Sequence, residues 1–354
     1  MAPQRVAAAT GRRRLLGDNE QGDKEMTTRR TFVAGALASA FAGTAGRAMA
    51  QATTRIRIST AAPPSDFLTK ALDQLRTDVA AAGKGLDVSV HPASTLFRQG
   101  TEVQALQRGN LEMSTMTTFE VAQQMPKYGL FDRAYLFRDD DHLRRVFDGP
   151  IGEEYRRAVA DQMGIEILAT HYLGTRHVNL CKKRDVKGPA DLAGVKLRMP
   201  AGPEWLLLGS TLGVTPVPLG MPEVYLAMKT GTVDGQENPL SILNAAKFYE
   251  VSQQVVLTTH MVQPVFFAMA KPAWDKLGAD QKQVLQDAAR KTARSGSEAR
   301  LADETSIVAS LKKRGLAVDA IDLAPFRQSA DRVYAASSLA KAWDAALLSR
   351  VMAA

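Results

Sequence analysis

The chain has 354 residues, 45% hydrophobic and 23% charged, which excludes a disordered or collagen-like polymer and is long for one domain. One cysteine, Cys181, excludes a disulfide framework and a Cys-rich metal centre, and no apolar run reaches the roughly 18 residues of a bilayer-spanning helix. The net charge is +8, but eight basic residues against four acidic ones lie in residues 1–50, so half of the excess sits there. The body is mildly basic with interspersed signs and only 6% aromatic residues, unlike a nucleic-acid groove, which concentrates Lys and Arg or offers stacking rings.

Residues 26–50 read as an export signal. Arg29 and Arg30 stand in a Thr-Arg-Arg-Thr-Phe-Val context, Phe32–Gly46 carries no charge, and Ala48-Met49-Ala50 gives a small-x-small cleavage site. This pattern fits the twin-arginine route, with cleavage after Ala50 and delivery to the periplasm of a Gram-negative cell. Met26 then fits as the start codon, and residues 1–25 as a mis-called N-terminal extension.

From residue 51 on, strand-like and helix-like stretches alternate. Ile56 and Ile58 alternate with Arg55 and Arg57, which predicts a strand. Phe67–Ala82 has helical spacing at Leu68, Leu72, Leu75 and Val79, and Gly83 and Gly85 stop it. Leu86–Val90 is a second strand, Thr101–Arg108 a short helix, and Leu111–Thr115 a third strand. That order is the pattern of an α/β layer with parallel strands. His142–Met163 reads as a helix with a possible break at Pro150, headed by Asp139–Asp141 as helix-capping carboxylates. Ile165–Ala169 is a short strand.

After Gly174 a second α/β pattern begins. Val195–Arg198 is a strand, Glu204–Leu212 a helix, Val214–Leu219 extended, Glu223–Lys229 a helix, and Gly235–Pro239 a loop. Val265–Ala270 is an apolar strand. Asp280–Arg314 is a helix of about 50 Å at ~1.5 Å per residue, long enough to underlie two domains, with Gly296 as its weak point. A last helix runs from Pro325 to near Leu348. Two α/β units without a flexible linker predict a cleft between them, where ligands collect.

Searches for catalytic patterns fail: there is no G-x-S-x-G, H-E-x-x-H or P-loop motif. The five histidines never show i, i+4 ligand spacing, so no metal site is expected, and Cys181 has no resolving partner. What remains suits an organic anion. Arg198 ends a strand of the second unit, where α/β sheets face their ligand. Its planar fork matches a carboxylate through two parallel hydrogen bonds; the alternative is a plain ion pair with an Asp or Glu. Arg176 follows Gly174-Thr175, and Asn238 offers an amide from the Gly235–Pro239 stretch.

The segment Asp191-Leu192-Ala193-Gly194-Val195-Lys196-Leu197-Arg198-Met199-Pro200 resembles the D-L-x-G-x-K-x-R-x-P signature of the solute-binding subunits of tripartite ATP-independent periplasmic (TRAP) transporters, the DctP-like family. Glu223–Gly231, Val233–Leu240, Phe248–Val251 and Thr258–His260 resemble the next blocks. Phe131–Phe137 and Val146–Gly149 resemble the first-domain signature. The resemblance implies an α/β, type II-like two-domain periplasmic binding protein with an interdomain cleft, hinge strands and a long helix spanning both domains. The expected division is 51–174 with 264–302 as domain I, and 175–263 with 303–354 as domain II.

The resemblance further implies a receptor, not an enzyme, and no cofactor. A small hydroxy, keto or sugar acid would be captured and delivered to membrane permease subunits driven by a sodium gradient. No nucleic acid partner and no oligomer beyond the monomer are expected. The family's carboxylate-binding residues fall on Arg198, Arg176 and Asn238, and its cleft aromatic falls on Met221. First-domain contacts fall near Gln99 and Thr117, which stand where sialic-acid binders carry acidic residues. Trp205 either packs in the core or lines the cleft, and Phe67 is placed to close it from the first helix. Two further readings remain: a periplasmic sensing subunit for a signalling kinase, and a periplasmic enzyme on the same scaffold.

Overall fold

A computed structural model describes residues 53–354; the N-terminal extension and the export signal expected over 1–25 and 26–50 lie outside the described residues. The chain opens with β1 (Thr54–Ser59), α1 (Phe67–Ala81), β2 (Leu86–His91), α2 (Glu102–Gln107) and β3 (Met113–Met116). Then come α3 (Thr118–Gln124), α4 (Asp140–Asp148), α5 (Pro150–Met163) and the long β4 (Ile165–Leu180). The order continues with β5 (Lys196–Met199), α6 (Pro203–Thr211), β6 (Thr215–Pro218), α7 (Val224–Thr230), β7 (Gly235–Pro239) and α8 (Leu240–Ala245). It closes with β8 (Gln254–Ala270), α9 (Lys271–Asp275), α10 (Ala279–Lys313), β9 (Ala317–Asp319), α11 (Ala324–Ala336) and α12 (Ala345–Ala353). No described helix is long and apolar enough to cross a membrane.

Local chemistry explains the first elements. Ile56 and Ile58 bury fully while Arg57 turns outward to pair with Glu112 at 2.8 Å. Asp66 caps α1, its Oδ1 accepting from the Leu68 amide at 2.9 Å; such a carboxylate satisfies an amide that the helix leaves unpaired. The buried stripe Leu68, Leu72, Leu75 and Val79 then docks α1 on the sheet.

One nine-stranded sheet runs through the described chain in the order β2-β1-β3-β8-β4-β7-β5-β6, with β9 against β8. In its first half β1 is parallel to both β2 and β3, as the alternation predicted. In its second half β5 is parallel to β6 and β7. Two strands belong to both halves. β4, of 16 residues, and β8, of 17, pair antiparallel from Ile165↔Ala270 to Leu180↔Gln254. At ~3.3 Å per residue each is about 50 Å long. Three register irregularities, at Ile167/Ala169, Tyr172/Gly174 and Arg176/Val178, interrupt the pairing along its length, and such irregularities bend strands.

The sequence showed only the apolar parts of these strands, Ile165–Ala169 and Val265–Ala270. The rest carries His171, Arg176, His177, Asn179, Gln254 and Gln263, which are buried yet polar, so the apolar alternation is lost there. The helix expected over His142–Met163 is two helices, because Gly149 is extended and Pro150 starts α5 at a position needing no amide donor. Asp139 caps α4 as predicted, accepting from the His142 amide at 2.7 Å. The C-terminal helix is likewise split: α11 ends at Ala336, and Asp344 caps α12. The Gly235–Pro239 stretch is a fully buried strand, not a loop.

Helix α10 spans both halves. Leu285, Ala288, Ala289 and Ala293 pack with α1 and β1, whereas Ile307 and Leu311 pack with α7, α8 and β9. Gly296 is a close approach instead of a weak point: a Cβ there would meet His171 Nε2 at 2.8 Å and Ala71 Cβ at 2.9 Å. One turn on, the fully buried Arg300 donates to Asp66 at 2.6 Å and to Ser241. The helix is thereby fastened to the start of α1 and to α8.

Candidate functional site

A cavity of about 530 Å³ opens between the two halves of the sheet, within the size range of small-molecule sites. Its first wall comes from Thr60–Ala62 after β1, Leu68 of α1, Arg98–Glu102 entering α2, Thr115 of β3, and Thr117, Phe119, Glu120 and Gln123 at α3. The opposite wall comes from Arg198 of β5, Pro200 and Ala201 after it, Trp205 of α6, Pro218–Met221 after β6, and Asn238 of β7. The floor is Leu173, Arg176, Gln263 and Val265 on the two shared strands. Loops at the carboxyl ends of parallel strands thus supply much of both walls, as in other α/β folds.

Arg198 is 1% exposed and has no carboxylate partner among the described residues. Its Nε donates to the Leu219 carbonyl at 2.9 Å and one Nη to Gln99 Oε1 at 3.4 Å. Burial, with Arg176 nearby, lowers the guanidinium to about 10, and Glu237 partly opposes this. It stays charged near neutrality, and a buried charge without a counter-ion is costly. An anion entering the cavity supplies that counter-ion.

Arg176 is held differently. Its Nε and one Nη reach the two Glu237 carboxylate oxygens at 2.5 and 2.7 Å, and the other Nη donates to Gln263 at 2.7 Å. Its guanidinium also lies 4.9 Å from the Trp205 ring centre. His260 completes the cluster, with Nε2 at 3.1 Å from Glu237 and Nδ1 at 2.8 Å from Thr258. Burial pushes His260 below its ordinary value, toward the neutral ring. Burial would raise Glu237, but Arg176 and His260 hold its carboxyl below the usual range. The expected ion pair with a Glu therefore belongs to Arg176 and not to Arg198.

Asn238 lines the cavity beside them and donates to Gln236 Oε1 at 2.6 Å. Gln99 crosses the cavity: its Oε1 also accepts from the Met221 amide at 2.8 Å. Thr117 caps α3 and gives both its amide, at 2.9 Å, and its hydroxyl, at 2.5 Å, to Glu120. Trp205 does both jobs that the sequence left open, packing 6.0 Å from Phe119 in the core and lining the cavity. Phe67 is not among the lining residues; its ring lies 5.6 Å below Arg300, and Leu68 faces the cavity instead. Cys181 is away from the cavity, and burial pushes its thiol up to about 11.

Four carboxylates were missed in the sequence: Glu237, Glu102, Glu120 and Glu223, the last paired with Arg98 at 3.0 Å at the cavity edge. Glu237 stands inside the Gly235–Pro239 block, but its partner Arg176 is 61 positions away. Glu102 and Glu120 both line the cavity. Glu102 is 7% exposed and takes the Gly100 amide at 2.7 Å; burial, with Glu120 nearby, raises it to about 7. Burial also raises Glu120. A pattern of an acidic residue in the first turn of each of two short helices was the available signal, and capping explains such residues equally well.

Two α/β halves joined by continuous strands, with a cavity that carries buried charged side chains between them, define a cleft-type solute-binding protein. The family model described as bacterial extracellular solute-binding protein, family 7, matches residues 58–341, and the chain belongs to that family of receptors. It is 36% identical over 281 residues to a solute-binding protein of Verminephrobacter eiseniae, covering 79% of this chain and 83% of the relative. It is 30% identical over 249 residues to the sialic acid-binding periplasmic protein SiaP of Vibrio cholerae, covering 70% and 77%. The fold matches a TRAP periplasmic solute-binding protein of Roseobacter denitrificans, bound to 3-deoxy-D-manno-oct-2-ulosonic acid, with a TM-score of 0.82 and 38% identity, covering 85% of this chain and 99% of that one. The TRAP resemblance and the two-domain α/β architecture with shared strands and a long helix are thus borne out.

Proposed function

We propose that the protein captures a small organic acid, of sugar-acid size, in this cavity. The observation that carries the reading is Arg198: a buried guanidinium facing a 530 Å³ cavity and lacking a carboxylate partner among the described residues. Arg198 takes the ligand carboxylate, Asn238 holds one of its oxygens or a neighbouring hydroxyl, and Arg176 sets the floor. Gln99 and Thr117 read polar groups from the first wall, while Trp205 and Met221 shape the second. The cavity volume and the sugar acids named for the two relatives support an acid longer than a short keto acid.

Residues 51–174 with 264–302 and 175–263 with 303–354 act as two lobes that close on the ligand about the β4–β8 pair. The closed form is favoured because the ligand touches both, and the falling dielectric strengthens each charged contact. The protein works as a monomer in the periplasm, reached through a twin-arginine-type signal cleaved after Ala50, and hands its ligand to a sodium-driven TRAP permease. A thermal-shift panel of organic acids on the wild type and Arg198→Ala tests this. Ligand at 100 times its dissociation constant stabilises by about 2.7 kcal/mol; a shift that persists in Arg198→Ala refutes the reading.

A further inference from the structure

Among the described residues, six charged side chains line the cavity: Arg98, Arg176, Arg198, Glu102, Glu120 and Glu223. Arg98 pairs with Glu223 at 3.0 Å, and Arg176 with Glu237. Those pairs leave one cation, Arg198, and two carboxylates, Glu102 and Glu120. Both lie on the first wall, close to Arg198 along the chain of contacts. Gln99 touches Arg198, the next residue's amide is bonded to Glu102, and Glu120 is near enough to Glu102 to oppose its ionisation. Glu120 Oε2 is occupied by Thr117, while its Oε1 makes no hydrogen bond among the described residues. Above about pH 7, where Glu102 is ionised, the cavity is therefore polarised, with a cationic end and a carboxylate wall that only accepts.

We infer that Glu102 and Glu120 are specificity determinants that restrict the site to monocarboxylates: they accept hydrogen bonds from ligand hydroxyls and repel a second carboxylate. This rests on the carboxylate–Arg198 reading above. A ligand anchored there extends its carbon chain past the two glutamates. A hydroxyl donates to an ionised carboxylate in a charge-assisted bond. A second carboxylate has no hydrogen to donate, and like charges in a partly desolvated site oppose each other. Such repulsion is how a site rejects a near-isosteric competitor.

The test uses aldonates and aldarates of the same sugars, gluconate with glucarate and galactonate with galactarate, which differ only in a terminal hydroxymethyl or carboxylate group. Calorimetric titration compares the wild type with Glu102→Gln, Glu120→Gln and the double variant; Gln keeps the size of each side chain and can serve at the helix cap. The expected result is a preference for the better-bound aldonate over its aldarate of about tenfold or more in the wild type. In the double variant that preference collapses through tighter aldarate binding. Equal binding of both acids by the wild type, or a ratio unchanged in all three variants, overturns the inference while the Arg198 reading stands. Absence of binding by every acid, or aldonate binding that survives Arg198→Ala, overturns that reading and the inference with it.

Discussion

Arg176 and Arg198 reach the same cavity from β4 and β5, on either side of β7, and both are nearly fully buried. Their surroundings are opposite. Arg176 has a bidentate carboxylate in Glu237, an amide in Gln263 and a ring face in Trp205. Arg198 has two neutral oxygens. The first arginine is a finished part of the fold, and the second carries an unmet electrostatic demand. Two residues of one type, within one site, are thus divided between stability and binding by a single counter-ion.

The sharpest way to break this contrast is to truncate each arginine. Arg198→Ala is expected to lower ligand affinity by two to three decades or more, corresponding to roughly 3–5 kcal/mol for a buried pair. Its ligand-free melting temperature should not fall, because an uncompensated buried charge has been removed. Calorimetric titration and a melt read the two quantities on one preparation. Arg176→Ala should do the reverse to stability: with Glu237 left buried and unpaired, denaturant unfolding is expected to show a loss of about 3–5 kcal/mol. If Arg176→Ala is as stable as the wild type, the division of roles fails.

The glutamates extend the comparison to pH. Glu102 is raised from 4.5 to about 7 by burial, so the folded state binds its proton more tightly than the unfolded chain does. Stability from this group is full below about pH 4.5 and is lost as pH rises through about 7. The shift corresponds to at most about 3 kcal/mol. Ligand-free Glu102→Gln should therefore match the wild type near pH 4 and melt higher near pH 8. A constant difference across that range would remove Glu102 as the source.

A smaller effect is expected at Gly202, whose φ is 146° and where a Cβ would meet the Phe119 ring at 2.1 Å. The contact joins α3 on one wall to the segment before α6 on the other. Gly202→Ala strains the backbone and pushes the walls apart, so affinity should fall by about tenfold. Titration of this variant showing wild-type affinity would mean that the Phe119 contact does not set closure.

Legibility in the sequence followed burial of apolar groups. β1 and α1 were readable because Ile56, Ile58, Leu68, Leu72, Leu75 and Val79 keep the spacing of their elements and all point into one core. β7 was not, since Gly-Gln-Glu-Asn-Pro has low strand propensity and is held by its neighbours β4 and β5. The second half of β4 was hidden for the same reason. Among site residues, Arg198, Arg176, Asn238, Met221, Gln99, Thr117 and Trp205 converge on the cavity, while Phe67 does not. Adjacent helical residues point about 100° apart, so the choice between Phe67 and Leu68 turned on how α1 docks.

By itself, the sequence determined the alternation of strands and helices, the single long helix of α10, the placement of Arg198 at a strand end, and the motifs shared with TRAP solute receptors. These depend on local spacing and on residue type. Only the tertiary structure decided which arginine is neutralised, that His260 backs Glu237, and that Glu102 and Glu120 face the same cavity as Arg198. Charge pairing across the fold depends on strand register and on which loops the sheet brings together, and a separation of 61 positions between Arg176 and Glu237 leaves no local trace of it.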